Sequence, residues 1–144
     1  MIARFWVASG LTLSILLWQV GCGGPPGMEK ASGKVTFADG PMPQGEIAVV
    51  RFEPVPGTQA EGQSKGASGD IQPDGTFVLT TMDKGDGAFV GEYKVCFTFL
   101  KTYVGRESLV DAKFTTSGTT PHSAKVTAGG KNHFEFEVSK PAGR

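Results

Sequence analysis

The chain has 144 residues, with 14 Lys plus Arg balanced by 14 Asp plus Glu, so its formal net charge is zero. This length suits one domain with its own core. There is no basic excess that would point to nucleic-acid binding, and no nucleic-acid partner is expected. The 21 Gly and 9 Pro residues are interleaved with β-branched and aromatic residues, a composition that favours short strands and tight turns over helices.

The first 21 residues have the composition of an export signal. Arg4 precedes a mostly apolar run over residues 7–20, which is the order of the n-region and h-region of a secretory signal. The run is short for a permanent membrane span, because residues 5–20 as a helix cover about 24 Å of the roughly 30 Å of hydrocarbon. The sequence therefore predicts a cleaved signal peptide, initially helical, over residues 1–21.

The junction Val20-Gly21-Cys22-Gly23-Gly24 resembles the lipobox of bacterial lipoproteins. This resemblance implies that Cys22 receives a diacylglycerol and that the leader is cut before it. The protein would then be exported and lipid-anchored to a bacterial membrane, facing the periplasm or the cell surface. Gln19 departs from the pattern, which usually has Leu at that position. Two alternatives stay open, an ordinary secretory signal with a free Cys22 and an uncleaved anchor helix.

The mature chain divides into a linker, a domain and a short tail. Residues 22–32 contain the lipidated Cys22 and a Gly/Pro-rich linker, residues 33–139 form the domain, and residues 140–144 are a C-terminal tail. Cys96 is the remaining thiol, and one thiol cannot form an internal disulfide bond. Its position between Val95 and Phe97 predicts a small buried side chain on the opposite face of their strand.

Apolar residues at every second position predict an all-β domain. The alternation is clearest over residues 93–99 and 134–138. We expect a seven-stranded antiparallel two-sheet sandwich. The seven predicted strands are Lys34–Phe37, Glu46–Glu53, Ala67–Ile71, Thr76–Thr81, Glu92–Phe99, Ser123–Thr127 and Asn132–Ser139.

Turns and loops separate these strands. Residues 72–75, with Pro73 and Gly75, and residues 128–131, with Gly129 and Gly130, predict two hairpins, each joining the strands on either side. Residues 54–65 predict a mobile loop, and residues 82–91 predict a second connection. Residues 100–121 are irregular in pattern, with apolar residues that we expect to pack against the sandwich.

The spacing of turn glycines and core aromatics resembles that of the carboxypeptidase regulatory-like domains, which share the transthyretin-like (prealbumin-like) β-sandwich. The resemblance covers about residues 33–138 and implies a seven-stranded sandwich in an exported protein, without catalysis by the domain itself. The hydrolases built on a transthyretin fold end in Tyr-Arg-Gly-Ser, whereas this chain ends Pro141-Ala142-Gly143-Arg144. The motifs that carry the resemblance are Gly33-Lys34-Val35-Thr36, Asp39-Gly40-Pro41, Gly45, Val50-x-Phe52, Gly69, Asp74-Gly75-x-Phe77-x-Leu79-Thr80-Thr81, Gly85-Asp86-Gly87-Ala88, Gly91-x-Tyr93-x-Val95 and Phe114-x-x-Ser117-Gly118.

Few residues suggest chemistry. Ser64 lies in a Gly-x-Ser-x-Gly pattern, but that motif acts as a nucleophile only between a strand and a helix. His122 and His133 are expected to be solvated surface residues. Asp39, Asp83 and Asp86 suggest a calcium site, yet Asp is also a preferred turn residue. We expect no catalytic residue, no metal and no cofactor.

The sequence therefore predicts a membrane-anchored cell-envelope lipoprotein with a non-catalytic β-sandwich, in an accessory, structural or adhesive role. Its expected partners are the membrane, through Cys22, and an envelope protein or glycan. One alternative is a glycan- or peptide-binding module that uses the loops 54–65 and 82–91 at one end of the sandwich. A hydrolase that uses Ser64 and His133 is the third hypothesis.

Overall fold

A computed structural model describes residues 27–143. The predicted signal peptide and Cys22 lie outside the described residues. Within residues 27–143 the protein is all-β, with one short 3-10 helix at Ala112–Phe114. No helix in this part of the chain is long and apolar enough to cross a membrane. The strands are β1 (Met28–Glu29), β2 (Ser32–Phe37), β3 (Ile47–Pro54), β4 (Ala67–Asp70), β5 (Thr76–Val78), β6 (Ala88–Phe89), β7 (Gly91–Leu100), β8 (Ser123–Val126) and β9 (His133–Val138).

The strands form three sheets. A four-stranded sheet has the order β4-β3-β7-β8, a three-stranded sheet has the order β5-β2-β9, and β1 pairs with β6 alone. The predicted count of seven strands differs from the nine observed between residues 27 and 143, because the two-residue strands β1 and β6 form a separate ribbon. The longest strand is β7, with ten residues, and it lies beside β3 along the whole length of β3.

The two larger sheets pack face to face as a β-sandwich-like core. Phe52 of β3 contacts the rings of Phe77 and Phe136 from the opposite sheet, at centroid distances of 6.3 and 6.1 Å. Phe37 of β2 meets Phe99 of β7 edge to face at 5.2 Å. These contacts confirm the predicted alternation, because the odd-numbered side chains from Tyr93 to Phe99 are all buried while the outward ones of β9 are exposed.

The sandwich has two distinct ends. We call the first the entry end, because the described chain begins there at Gly27; it comprises residues 27–31, 54–66, 79–91 and 127–132. The distal end comprises residues 38–46, 71–75, 101–111 and 139–141. The assignment follows from the pairing: Pro54 lies opposite Tyr93 at the entry end, and Ile47 lies opposite Leu100 at the distal end.

Two predicted hairpins are corrected by the structure. Strands β8 and β9 do not pair, because residues 127–132 cross from one sheet to the other; β8 joins β7, and β9 runs parallel to β2. The sandwich is therefore not wholly antiparallel. The side chain of Asn132, at φ 41°, holds this corner through bonds to Thr127 N at 2.9 Å and Thr127 O at 3.0 Å.

The second hairpin is present only in part. Its turn is closed by a bond from Gln72 N to Thr76 O, and one bridge links Ser68 with Thr80. Between these points the arms belong to different sheets, because β4 pairs with β3 and β5 pairs with β2. The turn at residues 72–75 is thus a corner of the sandwich at its distal end.

The ordered domain begins earlier than the predicted start at residue 33. Met28 and Glu29 pair with Phe89 and Ala88, and Ala31 is buried with 2% of its surface exposed. Farther along the chain, Val110 and Phe114 are buried against the sandwich, as expected for the irregular segment 100–121. The last residues of the predicted linker therefore form part of the folded domain.

Candidate functional site

Both loops that the sequence suggested for ligand binding lie at the entry end. The loop over residues 54–65 is fixed to the start of β7 by its first half. Val55 N donates to Glu92 O at 2.8 Å, and Gln59 Nε2 donates to the same carbonyl at 3.0 Å. The hydroxyl of Thr58 accepts from Glu92 N at 3.1 Å. These bonds give a defined shape to a segment whose composition indicates only a loop.

The loop over residues 82–91 is organised by Asp86. Its two carboxylate oxygens accept hydrogen bonds from the backbone N–H groups of Thr81, Met82 and Asp83, at 2.7, 2.9 and 2.8 Å. Partial burial opposes ionisation of this carboxyl, but the three donors outweigh it and lower the pKa of Asp86 below its usual value. Asp86 therefore acts as the internal cap of this turn.

The three aspartates that suggested calcium do not form a site. Asp39 lies at the distal end, where it accepts a bond from Lys140 N at 3.0 Å, while Asp86 is saturated by its own turn. Between residues 27 and 143 there is no cluster of three or more His, Cys, Asp or Glu side chains that is suited to a metal ion. Asp86 serves as a turn residue, whereas Asp39 links two distant segments of the distal end.

We predict that Asp86→Asn lowers the free energy of unfolding by about 1.5–3 kcal/mol at neutral pH, because an amide NH₂ replaces an acceptor facing backbone donors. The lowered folded-state pKa means that the contribution is fully present above the ordinary carboxyl pKa of 3.8 and is lost as the pH falls through the folded-state value. Urea unfolding at several pH values should show the difference between wild type and variant shrinking below about pH 4. Asp83→Asn, at an exposed side chain, is the matched control; an equal loss in both variants would contradict this role.

His122 is not the solvated surface residue that the sequence indicated. Its ring stacks on Phe114 at a centroid distance of 5.4 Å and meets Phe136 at 5.3 Å, and its Nε2 lies 2.8 Å from Glu137 O. It also meets Phe97 edge to face. This half-buried imidazole covers the core just before β8 begins at Ser123. His122 is held beside β7 there, because Val95 N donates to His122 O.

In residues 27–143, no hydrogen bond joins Ser64 to His133, the two side chains that suggested a hydrolase. His133 is exposed, as expected, and its Nδ1 lies 3.2 Å from the hydroxyl oxygen of Ser32. Ser64 is exposed in a loop that leads into strand β4, so the strand-to-helix turn that activates such a serine is not formed there. The Ser32–His133 pair lies on the open face of the three-stranded sheet, where water has free access.

Cys96 is fully buried, on the face of β7 opposite to the core aromatics, as predicted. Its cross-strand neighbour is Arg51, whose guanidinium donates to Thr115 O at 3.1 Å. Burial raises the pKa of the Cys96 thiol, and the nearby Glu53 carboxylate acts in the same direction. A thiol that is both buried and hard to ionise is a poor nucleophile.

Among residues 27–143, the most exposed large apolar side chains lie at the distal end. Tyr103 and Val104 are 74% and 97% exposed at the tip of the loop over residues 101–108. The loop is ordered, because Tyr103 N donates to a carboxylate oxygen of Glu46 at 2.7 Å and Lys101 lies 3.6 Å from Glu107. Beside it is an open groove of about 470 Å³ lined in part by Arg106, Leu109 and Lys140.

Sequence reasoning considered Asp86 only as a possible calcium ligand and assigned no particular role to Asn132 or the Tyr103–Val104 tip. Asp86 lies between Gly85 and Gly87, and Asn132 follows the Gly129-Gly130-Lys131 segment, which indicated a turn in each place but not which side chain would hold it. Comparisons of the chain with protein-family models, with curated proteins and with solved structures gave no match.

Proposed function

We propose that this chain is an exported lipoprotein. Acyl chains on Cys22 hold its β-sandwich at a bacterial membrane surface, where it acts as a non-catalytic accessory, structural or adhesive module of the cell envelope. The signal-like residues 1–21 and the lipobox-like junction at Cys22 support the anchor. The resemblance to carboxypeptidase regulatory-like domains supports the role, since such domains occur in exported proteins.

The observation that carries this proposal is the position of Gly27. Gly27 O accepts a hydrogen bond from Val90 N at 2.8 Å, so the described chain starts from a fixed point at one end of the sandwich. Five peptide units separate Gly27 from Cys22. Because Gly27 already belongs to the folded domain, acyl chains on Cys22 would hold that domain close to the membrane surface.

Cys22→Ala, placed behind an ordinary cleaved secretory signal in place of residues 1–21, should move the protein from the membrane fraction to the soluble fraction, because this variant lacks the acyl chains that contribute about 0.8 kcal/mol per buried CH₂. The measurement is immunoblotting of membrane and soluble fractions after expression of the full chain in a bacterium that processes lipoproteins. Cys96→Ala is the matched control, because it removes the buried thiol and should remain with the membrane. Retention of Cys22→Ala in the membrane fraction would contradict the anchor.

A second candidate function is a glycan- or peptide-binding module that uses the loops 54–65 and 82–91. It is favoured by the convergence of both loops at the entry end, where Lys65 Nζ lies 3.8 Å from the Sδ of the exposed Met82. Screening glycan and peptide arrays with the Cys22→Ser mature chain tests it. Binding that is lost in the Lys65→Ala, Met82→Ala double variant but kept in Val104→Ala would support this candidate.

A further inference from the structure

We propose that the entry end of the sandwich faces the lipid bilayer and that the distal end points away from it. This inference rests on the proposed function, because it takes Cys22 as the lipid anchor. It goes beyond that function by assigning one surface of the domain, the loops 54–65 and 82–91 with β1, to the membrane side. The partner of this surface is the bilayer that holds the protein's own acyl chains.

Hydrogen bonds fix the chain to the entry end from Gly27 onward. Strand β1 pairs with β6, Lys30 Nζ donates to Gly85 O at 2.7 Å, and Leu79 N donates to Ala31 O at 2.9 Å. Gly27 itself lies so close to the side chain of Gln63 that an added Cβ would be 2.5 Å from it. The part of the predicted linker that follows Gly27 therefore does not lengthen the leash.

The leash is shorter than the domain is long. The five peptide units from Cys22 to Gly27 reach at most about 18 Å when fully extended. Strand β7, which runs from the entry end to the distal end, has ten residues and spans about 30 Å. Because the leash is shorter than the domain, the entry end stays close to the headgroups whatever path the leash takes.

The charges of the entry end balance one another. It carries four lysines and four carboxylates: Lys30, Lys65, Lys84 and Lys131, and Glu29, Glu61, Asp83 and Asp86. Such a mixed surface gives little net attraction to anionic lipids, so the leash, and not electrostatics, sets the orientation. The orientation should therefore be insensitive to salt, and it leaves the Tyr103–Val104 tip as the exposed apolar feature farthest from the bilayer.

Single cysteines at the two ends test the proposal. The lipidated full chain carrying Glu61→Cys or Val104→Cys is bound to phosphatidylcholine vesicles and treated with a small maleimide or a long poly(ethylene glycol) maleimide. Both native positions are exposed. The ratio of polymer rate to small-reagent rate at Glu61→Cys should fall about tenfold on vesicles, because a polymer coil confined beside a surface loses conformational entropy. At Val104→Cys the ratio should stay unchanged.

Two controls isolate the cause. In the unanchored Cys22→Ala chain, both positions should react with the polymer as readily as they do in free solution; the buried Cys96 contributes little background. Inserting a Gly/Ser spacer of about 20 residues between Gly24 and Pro25, with a mean reach of about 25 Å, should restore polymer labelling at Glu61→Cys.

The outcomes separate the two proposals. Equal polymer labelling at both ends on vesicles, or shielding of Val104→Cys instead of Glu61→Cys, overturns the orientation while the anchor stands. A chain that does not sediment with the vesicles overturns the anchor, and the orientation with it. Shielding of Glu61→Cys that is relieved by the spacer supports both.

Discussion

Replacing Phe52 by alanine is expected to lower the free energy of unfolding by about 3–5 kcal/mol, which is a large part of the roughly 5–15 kcal/mol that stabilises a domain. The reason is its place at the centre of the aromatic core. Phe52 is 1% exposed and its ring lies 5.5–6.3 Å from those of Phe77, Tyr93, Phe134 and Phe136. Urea unfolding of the mature chain, followed by circular dichroism, measures the loss.

Tyr103→Ala is the matched control for Phe52→Ala. It removes a comparable ring from a side chain that is 74% exposed, and its effect should stay within about 0.5 kcal/mol. A similar loss in the two variants would mean that the two sheets do not meet at Phe52. A loss confined to Phe52→Ala supports a sandwich core in which both sheets depend on one side chain.

Gly87→Ala is expected to cost about 3 kcal/mol or more, because two effects add. Gly87 has φ 104°, a conformation that side chains other than glycine's rarely adopt. An added Cβ would lie 1.8 Å from Glu29 O and 2.9 Å from Lys30 Cα, so the β1–β6 ribbon would have to separate. The thermal midpoint and the free energy of unfolding in urea check this expectation.

Gly118→Ala serves as the comparison for Gly87→Ala. No atom lies within 4 Å of a Cβ added there, and the change should stay within about 0.5 kcal/mol. Equal stability of wild type and Gly87→Ala would show that β1 is not packed as described. Because β1 fixes the start of the domain, Gly87→Ala in the lipidated chain should also lengthen the leash and increase polymer labelling at Glu61→Cys.

The core could be predicted from the sequence because burial follows directly from alternation. Phe77 and Leu79 of the turn region, like the alternating residues of β7 and β9, are buried where the two-residue period places them. Strand positions in the long segments were predictable for the same reason. A pleated strand has two faces, and apolar residues at every second position are all buried when one of these faces packs against the core.

Strand pairing could not be predicted in the same way. Residues 72–75 and 127–132 have the Gly, Asp and Asn content of hairpin turns, yet both carry the chain between sheets. A tight hairpin and an inter-sheet corner use the same residues, because both need positive φ and short polar side chains. The packing of distant strands makes the choice, as in the parallel pairing of β2 with β9, whose partners are about 100 residues apart.

The roles of single polar side chains were the least predictable part of the candidate site. His122 follows Pro121 in a polar segment, and only the folded chain shows that Phe97, Phe114 and Phe136 surround its ring. Asp86 looked like a possible calcium ligand because a carboxylate in a loop suits either a cation or backbone donors. Its three N–H partners decide between these uses, and no local sequence signal reports them.

In the proposed arrangement, the anchor at Cys22 determines which surface of the domain faces the membrane and which surface can meet a partner. Of the described side chains that suggested chemistry, Asp86 caps its own turn and His122 packs against the core, while Ser64 and His133 are exposed. The account therefore depends most on the modification of Cys22.

The intact mass of the protein purified from bacterial membranes tests that claim most directly. We predict the mass of residues 22–144 increased by a diacylglycerol, with any further acyl group, and a fragment spectrum that places the addition on Cys22. The unmodified mass of residues 1–144, or that of a shortened chain without acyl groups, would contradict the account.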